Sequence, residues 1–220
     1  MNTVSISRFT PSTMSAELLE RLFVVRKPIL EALMKRVKAL GRTPSPHHTL
    51  LVGPRGAGKT HLISLVYHRC KSLGKTGDGK PLRIAWLPED PWTLVSYGRL
   101  LAAILERVVP DFDNQKIAEP ELDAHIRHTS REDGPILVLA ENLDQILEAL
   151  GDSGQQKLRN LLQTEPDILV IATTTRLDRS LSAHAAPFFG FFDTIRLDPF
   201  SPEEAREMLT TLAREANNSE

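Results

Sequence analysis

Apolar residues along the chain follow two rhythms. At 50–52, 136–140 and 168–172 they run without interruption, the pattern of strands buried on both faces of a parallel sheet. Elsewhere they recur at i, i+3 and i+4, the spacing of one helix face. Leu18, Leu22 and Val25 begin such a stripe in the region 15–40, and Ile29, Leu33, Val37 and Leu40 continue it after Pro28, which suits the first turn of a second helix. Residues 41–48, with two prolines, break the pattern. Further helices are predicted at 61–73 (Leu62, Leu65, Val66, then Cys70 or Leu73), 94–109 (Leu100, Leu101, Ile104, Leu105, Val108), 121–131, 155–163 (Leu158, Leu161, Leu162) and 203–216. The last has Ser201 as N-cap and Pro202 at N1. Residues 82–87 and 194–197 read as two more strands. Strands alternating with helices predict an α/β fold, a parallel five-stranded sheet flanked by helices on both faces. Right-handed crossovers bring the C-terminal end of every strand to one edge, where ligands bind.

Three polar clusters leave strands at that edge. The first, residues 49–62, contains Gly53-Pro54-Arg55-Gly56-Ala57-Gly58-Lys59-Thr60-His61, a GxxxxGKT phosphate loop between an apolar run and a helix. Glycines allow the tight turn that cups a phosphate in backbone N–H groups, and the helix N-terminus adds its positive dipole end. Lys59 is predicted to reach the β- and γ-phosphates of a nucleoside triphosphate, and Thr60 to hold Mg²⁺. A second GKT at 74–76 has Arg69 where the first glycine belongs and no strand before it, so it reads as a decoy.

The second cluster is Glu141-Asn142-Leu143-Asp144, directly after the strand 136–140; the third is Thr173-Thr174-Thr175-Arg176. Hydrolysis needs an acid on the Mg²⁺ side and a group that activates or orients water. In one register Glu141 is that acid and Asn142 stands where a catalytic glutamate is usual, which also aligns Asp144 with a recurrent downstream acid. In the other, Ala140 takes the acid position and Glu141 is the base. His125 and His128 lie at i, i+3 with no further ligand nearby, and read as solvent-facing rather than metal-binding.

Composition changes this picture little. The 220 residues suit one α/β domain and the start of a second. No apolar run approaches the ~20 residues of a membrane helix, residues 1–11 lack the apolar core of a secretory signal, and the one cysteine, Cys70, excludes an internal disulfide and is expected as a buried helix thiol. A cytoplasmic protein is expected. Charge is more telling. Residues 20–110 hold 16 Lys/Arg against 6 Asp/Glu, and residues 111–152 hold 3 against 11, which fits a polyanion-binding face or two solvated faces. The run 187–192 carries half of the eight phenylalanines; packing of the last strands against a lid, or a docking patch, would account for it.

The order of these motifs resembles the AAA+ and STAND ATPases, within them the origin-recognition-like branches. Leu22-Phe23-Val24-Val25-Arg26-Lys27 is similar to their "FVGRE" box, with Val25 in place of Gly, and the resemblance implies that Val24 and Val25 line an adenine pocket. The run AENLDQI at 140–146 resembles the "LDNLD" or "DEID" form of the acidic motif. Thr174 or Thr175 matches the polar sensor that contacts the γ-phosphate or the attacking water. Leu197-Asp198-Pro199-Phe200-Ser201 matches the approach to a helical lid. One departure is marked: Phe191 stands where ring-forming members carry an arginine finger, worth about 10³–10⁵ in rate where it operates. Arg176 and Arg179 are candidate stand-ins.

The resemblance implies a flexible arm at 1–14, an ATPase core at 15–199 and the beginning of a helical lid at 200–220. The activity implied is binding and slow, Mg²⁺-dependent hydrolysis of ATP, as a nucleotide switch in a larger regulatory or defence-type protein. Its partners would be ATP and ADP, further domains or an effector protein, and other copies of the chain, with no membrane. The alternative is a DNA-dependent AAA+ ATPase of the replication-initiation or transposition type, acting on double-stranded DNA. Binding without hydrolysis is the third reading.

Overall fold

In the computed structural model, which describes residues 11, 14–87, 94–113, 117–177, 181 and 183–217, the apolar runs become adjacent strands of one sheet. In chain order the elements are α1 (Ala16–Leu22), α2 (Lys27–Ala39), β1 (Thr49–Val52), α3 (Lys59–Leu73), β2 (Arg83–Trp86), α4 (Tyr97–Val108), α5 (Glu119–His128), β3 (Ile136–Ala140), α6 (Leu143–Thr164), β4 (Ile168–Thr174), β5 (Asp193–Arg196) and α7 (Pro202–Asn217). The sheet order is β2-β3-β4-β1-β5 and every pairing is parallel.

Because strand side chains alternate between faces, each central strand feeds two cores. Leu137, Leu139, Leu169 and Ile171 pack with α1, α2 and α3. Ile136, Val138, Ile168 and Val170 pack with α4, α5 and α6. Burial of both faces is why these runs carry no polar alternation.

Four elements differ from the pattern-based reading. β4 continues through Thr173 and Thr174, which pair with Leu51 and Val52 of β1; backbone pairing overrides the polar side chains. α6 begins at Leu143 rather than at 155, with a kink at Gly151 (φ 61°, ψ 176°) that interrupts the helical spacing. The helix predicted at 94–109 starts at Tyr97, where the Ser96 hydroxyl accepts from the Arg99 N–H. The helix predicted at 121–131 runs from Glu119 to His128 and ends in a π-helical turn, Thr129–Asp133. That turn brings Arg131 to Glu165: Arg127 Nη1 and Arg131 Nη2 each lie 2.6 Å from its buried carboxylate. The exposed His125 and His128 belong to no metal-ligand group among the described residues.

The phenylalanine run packs on the α6 side of the sheet rather than against the lid. Phe188 is buried, and Phe191 stacks on His48 with centroids 5.0 Å apart. Among the described residues no helix is long and apolar enough to cross a membrane. Most of the predicted arm, residues 1–10, 12 and 13, lies outside the described residues; Met14 packs against the α1–α3 core.

Candidate nucleotide site

β1 ends at a loop that wraps the N-terminus of α3. Gly53 is required there by proximity, since a Cβ on it would stand 2.5 Å from the Leu197 carbonyl oxygen. Gly58, the N-cap of α3, sits at φ 77°, left-handed backbone that costs a side-chain-bearing residue about 1–2 kcal/mol. The loop surrounds one cation: Lys59 Nζ donates to the carbonyls of Gly53 at 2.6 Å and Pro54 at 2.9 Å. Burial lowers the Lys59 pKa from the ordinary lysine value, with Glu141 and Asp144 pulling it back.

β3 ends beside this loop. Thr60 Oγ1 donates to Glu141 Oε2 at 2.5 Å, joining residues 81 apart in sequence, and Glu141 is only 5% exposed. A hydroxyl and a carboxylate held together are the oxygen donors that Mg²⁺ takes in phosphate loops. Asn142 follows in the left-handed region, φ 51°, ψ 51°, and opens α6. Its backbone N–H donates to Thr173 Oγ1 at 3.4 Å, tying β3 to β4.

These ends enclose a cleft of about 550 Å³ lined by Pro11, Arg55, Gly56, Gly58, Lys59, Thr60, His61, Glu141, Asn142, Gln145, Thr173 and Thr175, within the ~300–1,000 Å³ of ligand pockets. Not every predicted residue faces it. Thr174 is fully buried and donates to Asp144 Oδ1 at 2.9 Å, so these two candidates brace one another behind the cleft. Period-2 alternation along β4 leaves Thr173 and Thr175 to line the cleft. Sequence reasoning did not assign Thr173 or Gln145; alternation around Thr174 points to the first, and nothing in the motifs to the second. Arg179 lies outside the described residues, and Arg176 is exposed just beyond β4. The second GKT sits at the C-terminus of α3, with Gly74 as C-cap, where the dipole repels phosphate.

Val24 and Val25 line a separate, mainly apolar niche of about 30 Å³ with Leu22, Phe23, Arg26, Gly58, His61, Leu62, Phe200 and Met208. It lies between the predicted adenine-binding box and α7, the predicted start of a lid. Arg26 holds the two together: its guanidinium donates to the carbonyls of Ala57 and Asp198 and stacks 4.5 Å over the Phe200 ring. His61 reaches both cavities but is committed to the fold, with Nε2 2.9 Å from the Leu19 carbonyl oxygen and its ring edge-on to Phe23.

A parallel sheet of this order, with the GKT loop after β1 and the acid after β3, two strands away, matches the AAA+-type P-loop ATPase fold. Among solved structures the chain is similar to the ORC2 protein of Aeropyrum pernix in ADPNP and ADP complexes (TM-score 0.70, 14% identity, 87% of this chain and 52% of that one). It is also similar to the ORC1 protein of the same organism in complex with DNA (0.65, 19%, 90% and 53%) and to Drosophila ORC bound to DNA (0.63, 18%, 93% and 50%). At such identities the likeness is one of fold, and the chain spans about half the length of each of these structures. No family model and no curated protein matches the sequence.

Proposed function

We propose that this chain is an ATP-binding, slowly hydrolysing AAA+ ATPase module that acts on double-stranded DNA in the manner of replication-initiation or transposition ATPases. The observation that carries the ATP reading is the Thr60–Glu141 hydrogen bond beside the Lys59 ammonium. It favours the register in which Glu141 is the acid on the Mg²⁺ side and Asn142 replaces the catalytic glutamate. When bound, Mg²⁺ would neutralise phosphate charge; Thr60 and Glu141 are the residues to hold it. Lys59 would bind the β- and γ-phosphates, the backbone N–H groups of residues 54–59 would cup them, and Thr175 would face the γ-phosphate. Val24 and Val25 would receive the adenine. Residues 15–199 would form the core and α7 the start of its lid.

Two observations support DNA. Similar folds are solved with it, and residues 27–83, which build α2, the phosphate loop and α3, hold 12 Lys/Arg against 2 Asp/Glu. Two others favour slow turnover and therefore a switch: Asn142 at the base position, and Phe191 stacked against His48 in place of an arginine finger. This second reading, a regulatory ATPase of STAND type, shares the same cleft.

Calorimetry with ATP tests the site. Lys59→Ala is expected to abolish measurable affinity and Glu141→Ala to remove its Mg²⁺ dependence; unchanged affinity in the lysine variant would sink the assignment. Binding of a duplex, followed across salt, tests the DNA reading: the affinity is expected to fall with a log–log slope of about −0.9 per phosphate contact. Absent or salt-insensitive binding leaves the switch reading ahead.

A further inference from the structure

The cleft presents a chemical puzzle, because its acidic groups are already engaged. Glu141 is bonded to the Thr60 hydroxyl. Asp144 is turned behind the cleft to Thr174. His61 is buried against the Leu19 carbonyl, and burial lowers its pKa from the usual histidine value. Beyond these groups, Thr60 and the cations Arg55 and Lys59, the polar side chains among the described residues that line the cleft are neutral: Asn142, Gln145, Thr173 and Thr175.

Gln145 stands apart from the others. It occupies the first turn of α6, its own backbone N–H bonded to the Asn142 carbonyl at 3.0 Å, so the loop that carries Glu141 and Asn142 also fixes its position. Its side chain is exposed on the cleft and makes no hydrogen bond among the described residues. A carboxamide offers an acceptor for a water O–H and two donors for a phosphate oxygen at a single tip. Phosphoryl transfer demands little of a base, because its loose transition state needs chiefly positioning.

We propose that Gln145 is a catalytic residue which orients the attacking water in place of a carboxylate base, with Asn142 and Thr173 beside it. The proposal rests on the ATPase reading above. The water oxygen forms the new bond to the γ-phosphorus as the bond from that phosphorus to the β–γ bridging oxygen breaks. ADP leaves with that electron pair, and the water proton passes to a γ-phosphate oxygen, giving inorganic phosphate without a titrating protein group.

The test uses the full chain and three measurements. Gln145→Ala is expected to lower single-turnover hydrolysis on the order of a hundredfold, the cost of losing one alignment, and to weaken binding of the ADP–aluminium fluoride complex by a similar factor. Its affinity for ATP and ADP stays within about twofold. The unaltered chain is expected to show a rate flat between about pH 6 and pH 8.5, whereas Gln145→Glu introduces a limb that rises with pH. Unaltered turnover and fluoride-complex affinity in the alanine variant, with ATP binding intact, overturn the proposal alone. If the unaltered chain fails to bind ATP, the nucleotide reading falls and this proposal falls with it.

Discussion

Two side chains show how single residues are chosen by their surroundings. His48 is buried at the start of β1, where its Nδ1 accepts the Val170 N–H at 3.2 Å and its Nε2 lies 3.4 Å from the Leu162 carbonyl oxygen. That pairing requires the neutral ring, and burial pushes its pKa down to about 4. Above about pH 6.5 the folded and unfolded chains both hold it neutral, and the stability is intact. Between about 6.5 and 4 only the unfolded chain takes up the proton, so stability is lost as pH falls, up to ~3 kcal/mol. Urea midpoints measured from pH 7 to 4.5 are expected to drop less steeply in His48→Gln; equal slopes would remove His48 as the cause. Asn142 answers to its backbone. At φ 51° Asn and Gly are at ease, whereas Glu pays about 1 kcal/mol or more. Asn142→Gly is therefore expected to melt near the unaltered chain, while Asn142→Glu melts lower yet hydrolyses ATP faster in single turnover. A lower rate in the glutamate variant would return Glu141 to the rival register.

At the scale of elements, α5 is held down by charge as well as by its buried Leu122 and Ile126. Glu165, fully buried after α6, is met by Arg127 at 2.6 Å and by Arg131 at 2.6 and 2.8 Å, while Asp123 bonds both Arg127 and Tyr97. Removing the buried carboxylate leaves Arg131 without this partner and Arg127 with Asp123 and Thr164, so Glu165→Ala is expected to lower the urea midpoint. Arg131→Ala should cost far less, because Arg127 still faces the acid; equal losses would show that the ion cluster does not act as described. None of this network was visible in the chain order, because its members lie up to 68 residues apart and the π-helical turn that aims Arg131 has no sequence mark. β1, β3 and β4 were legible for the opposite reason: burial on both faces leaves an unbroken apolar run. Where a strand ended in hydroxyls, as β4 does, the reading stopped two residues early. The same economy holds at the site. The spacing of the GKT loop marked it as a candidate phosphate loop, but Thr173 and Gln145 face the cleft by virtue of pleat and helix phase, which only the assembled sheet edge reveals.

At the scale of the molecule, the two cores hold a rigid sheet while its C-terminal edge gathers loops from β1, β3 and β4, so a ligand there touches segments that the fold keeps in register. The proposed lid is attached differently. α7 meets α1 through Arg21–Glu215 at 2.9 Å, both ends partly exposed, and the segment leading into α7 is held by Arg26, which grips the Ala57 and Asp198 carbonyls and Phe200. Exposed ion pairs contribute little, so the arginine latch is the more consequential tie. It also makes the chain its own reporter. Trypsin cuts after arginine only where the backbone can open into its active site, and the next basic residue, Lys27, is shielded by Pro28. Cleavage between Arg26 and Lys27 therefore counts the moments when the latch releases. Limited digestion with ATP, with ADP and without nucleotide is expected to give different rates at that one bond, slowest in the state that holds the lid down. Identical rates in all three would mean that the grip on Ala57 ignores what the loop beside it has bound.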